Sequence, residues 1–348
     1  MKNYDMFDIQ WHATPVQPIG GAFDGTANTF HYTEADRDGE LRFGQLLEPG
    51  LRKIFFETYM EIKEQYTAIY KMNTSSKATE TDWGMGAMPE WTVRADQFAE
   101  VAYKTLSPGL ERVYTHDAFT QGFMVTKEMM DDEQYREMNK LASAMGRSGR
   151  RKVETDAIKI LTLGFATLLD GVTANTGGEI YDTSFLFAAD HPLLDSVATG
   201  DNLMTGELSD VTLKAAIIKM RETVDEAGGL IQAKANKLII PPALEDTARR
   251  ILQSTQISGG QLNDTNAYLQ SSGIDIVVMD YLSAAAGGSD TAWFVQDSAL
   301  HELNFFWRKR PEFKWDEDFD TFVAKYRGYM RYSYGASDWR GVIGSQGL

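Results

Sequence analysis

One periodic run constrains this chain more than any other feature. From 126 to 169 an apolar face repeats in steps of three and four residues: Met138, Ala142, Met145, Gly149, Val153, Ala157, Ile160, Gly164 and Leu168. That spacing is helical. Thr126 has the chemistry of an N-cap, and Glu128, Asp131, Asp132 and Glu133 crowd the first turns, where negative charge suits the helix dipole. Unbroken, such a helix spans roughly 65 Å at about 1.5 Å per residue. That is about twice the width of a small domain, so its face implies further elements or further copies to cover it. Small residues alternate with large ones along the face, which lets a second backbone approach closely. The run Gly146-Arg147-Ser148-Gly149 is weak in helix propensity and predicts a bend.

Around this rod the chain divides into distinct segments. Residues 1–50 read as an arm, rich in Gly, Asp and Thr, with scattered aromatics such as Trp11, Phe23 and Phe30. Such a strip orders only by lying on something else. An amphipathic helix is predicted over 51–72, with Leu51, Phe55, Ile62, Tyr66 and Ile69 on one face. Residues 73–112 read as a projecting loop built on a β-hairpin, containing Trp83-Gly84-Met85-Gly86-Ala87-Met88-Pro89 and Trp91. Residues 203–300 alternate helices with short apolar strands such as Leu238-Ile239-Ile240, which implies a layered α/β lobe. Beyond 300 the pattern is β. Ala324, Tyr326, Gly328, Met330, Tyr332 and Tyr334 alternate with Lys325, Arg327 and Arg331 in an unusually long strand.

The composition removes whole classes of chemistry. At 348 residues, two or three lobes are expected. There is no cysteine, which excludes disulfides, thiolate catalysis and zinc–cysteine sites. Acidic residues outnumber basic ones by 50 to 34, for a net charge of −16, the opposite of a specific duplex binder. No signal peptide is read at the N-terminus, and no apolar run is long enough to span a membrane. Phosphate-binding loops, nucleophile elbows and zinc-protease spacings are all missing. Asp190-His191-Pro192 is the most site-like of the histidine contexts, but a turn with a satisfied imidazole is the simpler reading. Asp131-Asp132-Glu133 reads as a charged helix start. The basic cluster Arg147, Arg150, Arg151 and Lys152 reads as paired with acidic neighbours. No constellation carries catalysis, and no cofactor or metal is expected.

The order of these parts is specific although no single motif is. A helix is followed by the glycine-rich hairpin at 84–91, then Gly122-Phe-Met-Val-Thr-Lys-Glu-Met-Met-Asp-Asp132, the long helix, Phe187-Ala-Ala-Asp-His-Pro192, Leu238-Ile-Ile-Pro-Pro-Ala-Leu-Glu245 and Trp293-Phe294. This resembles the major head proteins of tailed phages with the Hong Kong 97-type fold, and within them Mu-like head subunits. The resemblance covers roughly residues 50–335. It implies an α+β fold with an N-terminal arm (1–50), a helix (51–72) and an extended loop, or E-loop (73–112). It further implies a peripheral domain (113–202) whose spine helix runs over about 126–169, an axial domain (203–300), and returning peripheral strands with the C-terminus (301–348).

On that resemblance the chain is a non-enzymatic capsid protein. It assembles with itself into the hexamers and pentamers of an icosahedral head enclosing double-stranded DNA. Portal, scaffolding and, in some particles, decoration proteins are its implied partners, no membrane is involved, and assembly takes place in the host bacterial cytoplasm before the protein enters the virion. The short segment before residue 50 implies a separate scaffold or an already processed chain. Two alternatives stay open: an encapsulin-like nanocompartment shell and an oligomeric cytoplasmic α/β enzyme. The candidate functional residues are interface residues: Trp11 in the arm, Trp83 and Trp91 in the loop, and Met138, Met145 and Gly149 along the spine.

Overall fold

The long apolar face is covered by a helix and a sheet of the same chain. The computed structural model describes residues 43–85, 108–165, 184–194, 199–254, 267–270, 272–318 and 321–347, with the isolated positions 87, 88, 90, 91, 93, 96, 103, 180 and 182. Up to position 42 the arm, with Trp11, lies outside them. The first helix, α1 (Phe43–Glu61), starts and ends earlier than the predicted 51–72. It runs through Pro49, because the turn before it carries Leu47 against the core formed with the long helix. It stops short of Tyr66, where a separate 3-10 turn (Tyr66–Ala68) presents Tyr66 and Ile69 to the interior. The periodicity continued past the real helix because this turn buries the same side chains. Strand β1 (Lys71–Thr74) follows, where helix was predicted.

Strands β2 (Thr79–Met85) and β3 (Pro108–Thr115) pair antiparallel, and β4 (Asp117–Thr126) leads into the rod. The rod is two helices. Thr126 accepts the amide of Met129 at 3.3 Å and caps α2 (Lys127–Asp131). Glu133 then adopts φ +52°, a left-handed conformation that breaks the helix. The long helix, α3 (Tyr135–Thr162), has 28 residues, or about 42 Å. The predicted 126–169 is therefore too long at both ends, and Leu168 lies outside the described residues.

Helical structure is continuous across 146–149. Gly146 serves a different purpose: a Cβ there would meet the Phe55 carbonyl oxygen at 2.6 Å. The glycine lets α1 cross α3 at close range.

Two sheets flank α3. The first has the order β1-β11-β12-β4, dominated by β11 (Leu303–Asp318) and β12 (Val323–Ala336). Their alternation puts Phe305, Trp307, Tyr332 and Tyr334 into the core shared with α3. The second sheet belongs to the α/β lobe. It is built from β7 (Leu203–Met204), β8 (Lys237–Ile240), β9 (Asp275–Val278), β10 (Trp293–Gln296) and β13 (Val342–Ser345), in the order β7-β13-β10-β8-β9. A small ribbon, β5 (His191–Pro192) with β6 (Thr199–Gly200), precedes it.

Leu238, Ile240, Trp293 and Val295 face α4 (Asp210–Arg221) and α5 (Glu245–Gln253), while Ile239 and Phe294 face the core with α3. Burial on both faces explains why these strands read as unbroken apolar runs. A short helix, α6 (Ala267–Gln270), adds Leu269 to the lobe core.

The predicted division at 300 is corrected at the C-terminus: β13 joins the α/β sheet, pairing with β10 and β7. Four residues after Gly341 (φ +79°) are too few for a periodic signal. Residues Phe43–Leu348 form one compact unit.

Candidate subunit interface

The β2–β3 arm is firmly rooted and exposed beyond its root. At its base the Tyr114 hydroxyl donates to Ser337 Oγ at 2.6 Å, and Ser337 in turn donates to Asp82. The Tyr114 ring packs on Phe306 with centroids 5.0 Å apart. Gly335 makes room for it, since a Cβ there would meet Tyr114 Cε1 at 2.8 Å.

His116 fastens the same root. Its Nε2 faces Ser75 Oγ at 3.0 Å and its Nδ1 faces Ser333 Oγ at 2.9 Å. Ser75 uses its own proton on Glu80 at 2.7 Å, so Nε2 donates and Nδ1 accepts. Burial, reinforced by Arg331, lowers the pKa of His116 and keeps the ring neutral.

Outward from this root the large apolar side chains among the described residues are exposed. Trp83 and Met88 are each 61% exposed, Tyr103 92% and Trp91 100%. Isolated exposed apolar residues are ordinary, but this many large ones on one arm of one subunit make it the candidate interface.

The spine residues are placed differently. Met138 is fully buried by Leu51, Phe55, Val125, Phe313 and Tyr326 of its own chain. Its assignment to an inter-subunit face is corrected: α1 and the sheet cover that stripe. Met145 and Gly149 line an open groove of about 590 Å³ between α1, α3, β4 and β12, whose walls include Phe55, Tyr59 and Phe119.

Buried polar groups, which sequence reasoning missed, hold the joints. Glu154 on α3 is fully buried and accepts the backbone amides of Gln65 at 3.1 Å and Tyr66 at 3.0 Å. It thus caps the turn after α1. Burial raises its pKa to about 7, against the two amides and Arg150, which pull it down. Arg150 donates to Glu64 at 2.6 Å and lies over the Tyr59 ring at 4.6 Å. Asp156 accepts Lys152, Lys159 and Tyr332, each at 2.8 Å. The basic cluster is thus partly paired with acids, as its sequence context predicted, while Arg151 is exposed.

Nothing in the amphipathic pattern marks Glu154, because its partners are backbone amides of another segment. His191 proves to be a satisfied imidazole: it lies between Asp182 and Asn202 and stacks on Trp339. No group of His, Asp and Glu among the described residues is arranged to hold a metal. No described helix is long and apolar enough to cross a membrane.

A family model described as phage capsid protein matches residues 109–345, well over half of the chain. The chain belongs to the phage capsid protein family. Its fold is similar to that of the mature capsid of bacteriophage PhiM1, at 14% identity and a TM-score of 0.51, over 80% of this chain and 84% of that one. A Microbacterium phage Oxtober96 chain matches at 11% identity and a TM-score of 0.48, over 82% and 93% of the two chains. The capsid of an empty GTA particle matches at 10% and 0.48, over 82% and 90%. No curated protein sequence matches at a significant level. The fold is of the Hong Kong 97 type. This capsid protein is a component of the phage virion head.

Proposed function

We propose that this capsid protein closes its shell through hexamers and pentamers around double-stranded DNA, and that the β2–β3 arm is buried on neighbouring copies. The exposure of Trp91, on an arm so firmly rooted, carries this reading. Trp83 and Trp91 are its principal contact residues. Met145 and Gly149 contribute through the groove, and Trp11 contributes from the N-terminal arm.

In this reading 73–112 is the E-loop, α3 is the spine of the peripheral domain, and the α/β lobe gathers at the capsomer axes. The protein resembles Mu-like head subunits and acts without catalysis. It assembles in the host cytoplasm with a portal, a scaffold and, in some particles, decoration proteins. The net charge of −16 supports a lining that leaves DNA mobile. The family match favours this reading over an encapsulin-like compartment or an enzyme.

Negative-stain microscopy of the protein co-expressed with its scaffold tests it. Closed shells of pentamers and hexamers are expected, and discrete small oligomers would overturn it.

A further inference from the structure

The segment that joins α1 to β1, residues 62–70, is fastened on two sides at once. On the side of α3, the amides of Gln65 and Tyr66 donate to Glu154 Oε1 and Oε2 at 3.1 and 3.0 Å. The Tyr70 hydroxyl donates to the Ala157 carbonyl oxygen at 2.6 Å. On the side of the α/β lobe, Gln65 and Asp280 bond each other twice. Gln65 Nε2 donates to Asp280 Oδ2 at 2.7 Å, and the Asp280 amide donates to Gln65 Oε1 at 3.0 Å. Gln296 of β10 donates to the Ile69 carbonyl oxygen at 2.7 Å, and Lys237 of β8 donates to that of Ala68. Gln65 belongs to both sides, since its backbone is held by α3 and its side chain by the lobe.

Glu154 is the group on which this segment turns. It is 0% exposed, so a charge there exchanges its hydration for two amides. Arg150, one turn earlier on α3, directs its Nη2 at Glu64 and lies over the Tyr59 ring. Glu64, in the segment itself, brings a second carboxylate close. The phenols of Tyr59 and Tyr66 face the same site, and burial holds both protonated far above neutral pH. Burial outweighs the two amides and Arg150, and Glu154 keeps its proton up to about pH 7. A neutral carboxyl still accepts both amides through the lone pairs of its oxygens. Once the proton leaves to a solvent base, the charge is solvated fully only when the segment lifts and admits water.

We propose that residues 62–70 form a proton-held strap: with Glu154 neutral it ties α3 to the α/β lobe, and with Glu154 charged it opens locally and releases Gln65 from Asp280. The closed strap binds the proton more tightly than the open one, in which Glu154 returns to its ordinary 4.5. Opening therefore becomes easier as pH rises above about 4.5 and levels off above about 7.

Amide hydrogen exchange on the full chain, as soluble subunit, tests this, with each rate divided by its intrinsic value so that the rise with hydroxide cancels. From about pH 5 to about pH 8, protection at Gln65, Tyr66 and Asp280 is expected to fall on the order of tenfold or more. Amides in the pairing of β8 with β10 are expected to keep theirs. Glu154→Gln is expected to abolish the fall. Glu64→Gln keeps the test decisive if Glu154→Gln fails to fold: it withdraws the second carboxylate and frees Arg150 for Glu154, so the fall moves to lower pH. Constant protection at Tyr66 over this range overturns the proposal. So does an equal fall in the β8–β10 pairing, which is unfolding of the whole chain rather than of the strap. A fall that persists in Glu154→Gln, or that stays in place in Glu64→Gln, overturns it as well.

Discussion

Glu154 and Asn202 show how much of this subunit depends on single buried polar groups. Glu154 titrates at its ordinary 4.5 when unfolded and at about 7 when folded, because burial disfavours its charge. Between those values the folded state holds the extra proton. Its contribution to stability is therefore complete below about pH 4.5 and is lost as pH rises through about 7. His301 acts in the opposite sense. Burial lowers its pKa from 6.5 to about 4, so its contribution is present above 6.5 and is lost as pH falls through about 4. Glu154→Gln is expected to gain on the parent protein steadily as pH rises from about 5 to 7, measured as the urea midpoint. Parallel curves for the two proteins would contradict the assignment. Asn202→Ala removes the side-chain donor to three carbonyl groups and the acceptor of the Ala188 amide in a buried site. A loss on the order of 3–5 kcal/mol is expected in equilibrium unfolding.

At the scale of elements, the crossing of α1 on α3 decides how the spine is used. Gly146 sits at the contact, with the Phe55 carbonyl oxygen 2.6 Å and Thr58 Oγ1 2.7 Å from where a Cβ would stand. Gly146→Ala is expected to force the helices apart and cost about 1–3 kcal/mol. Gly50 lies inside α1 with nothing within 4 Å of its Cβ position. There Gly50→Ala should stabilise by roughly 0.5–1 kcal/mol, through helix propensity alone. Chemical denaturation of both variants separates the two effects, and equal changes would refute the crossing argument. The low helix propensity of 146–149 predicts a bend, yet the helix is continuous there. Composition could register the small residues there but could not show that a second helix occupies the space.

At the scale of the whole molecule, one subunit leaves Trp83 and Trp91 of the β2–β3 arm exposed. Trp83→Ala combined with Trp91→Ala removes exposed side chains, so the subunit's own unfolding midpoint is expected to stay within about 0.5 kcal/mol of the parent's. Assembly is where the loss should appear, as a several-fold drop in the shell fraction on sedimentation at equal concentration. A variant that assembles normally would remove the arm from the interface.

Local order was legible in the residues themselves. The amphipathic periods of α3 and β12, the Thr126 cap of α2 and the apolar runs of β8 and β10 were each visible as patterns of a few neighbouring side chains, because local propensity and burial agree there. The likeness of their order to tailed-phage head proteins then supplied the family. Tertiary structure decided the rest. Strand β13 joins the α/β lobe because pairing partners 46 or more residues away are available to it, not because of its own pattern. Met138 is interior because α1 folds over it. The Asp182–His191–Asn202 knot exists only where distant passes of the chain meet, since a hydrogen-bond partner leaves no trace in the periodicity of the segment it comes from.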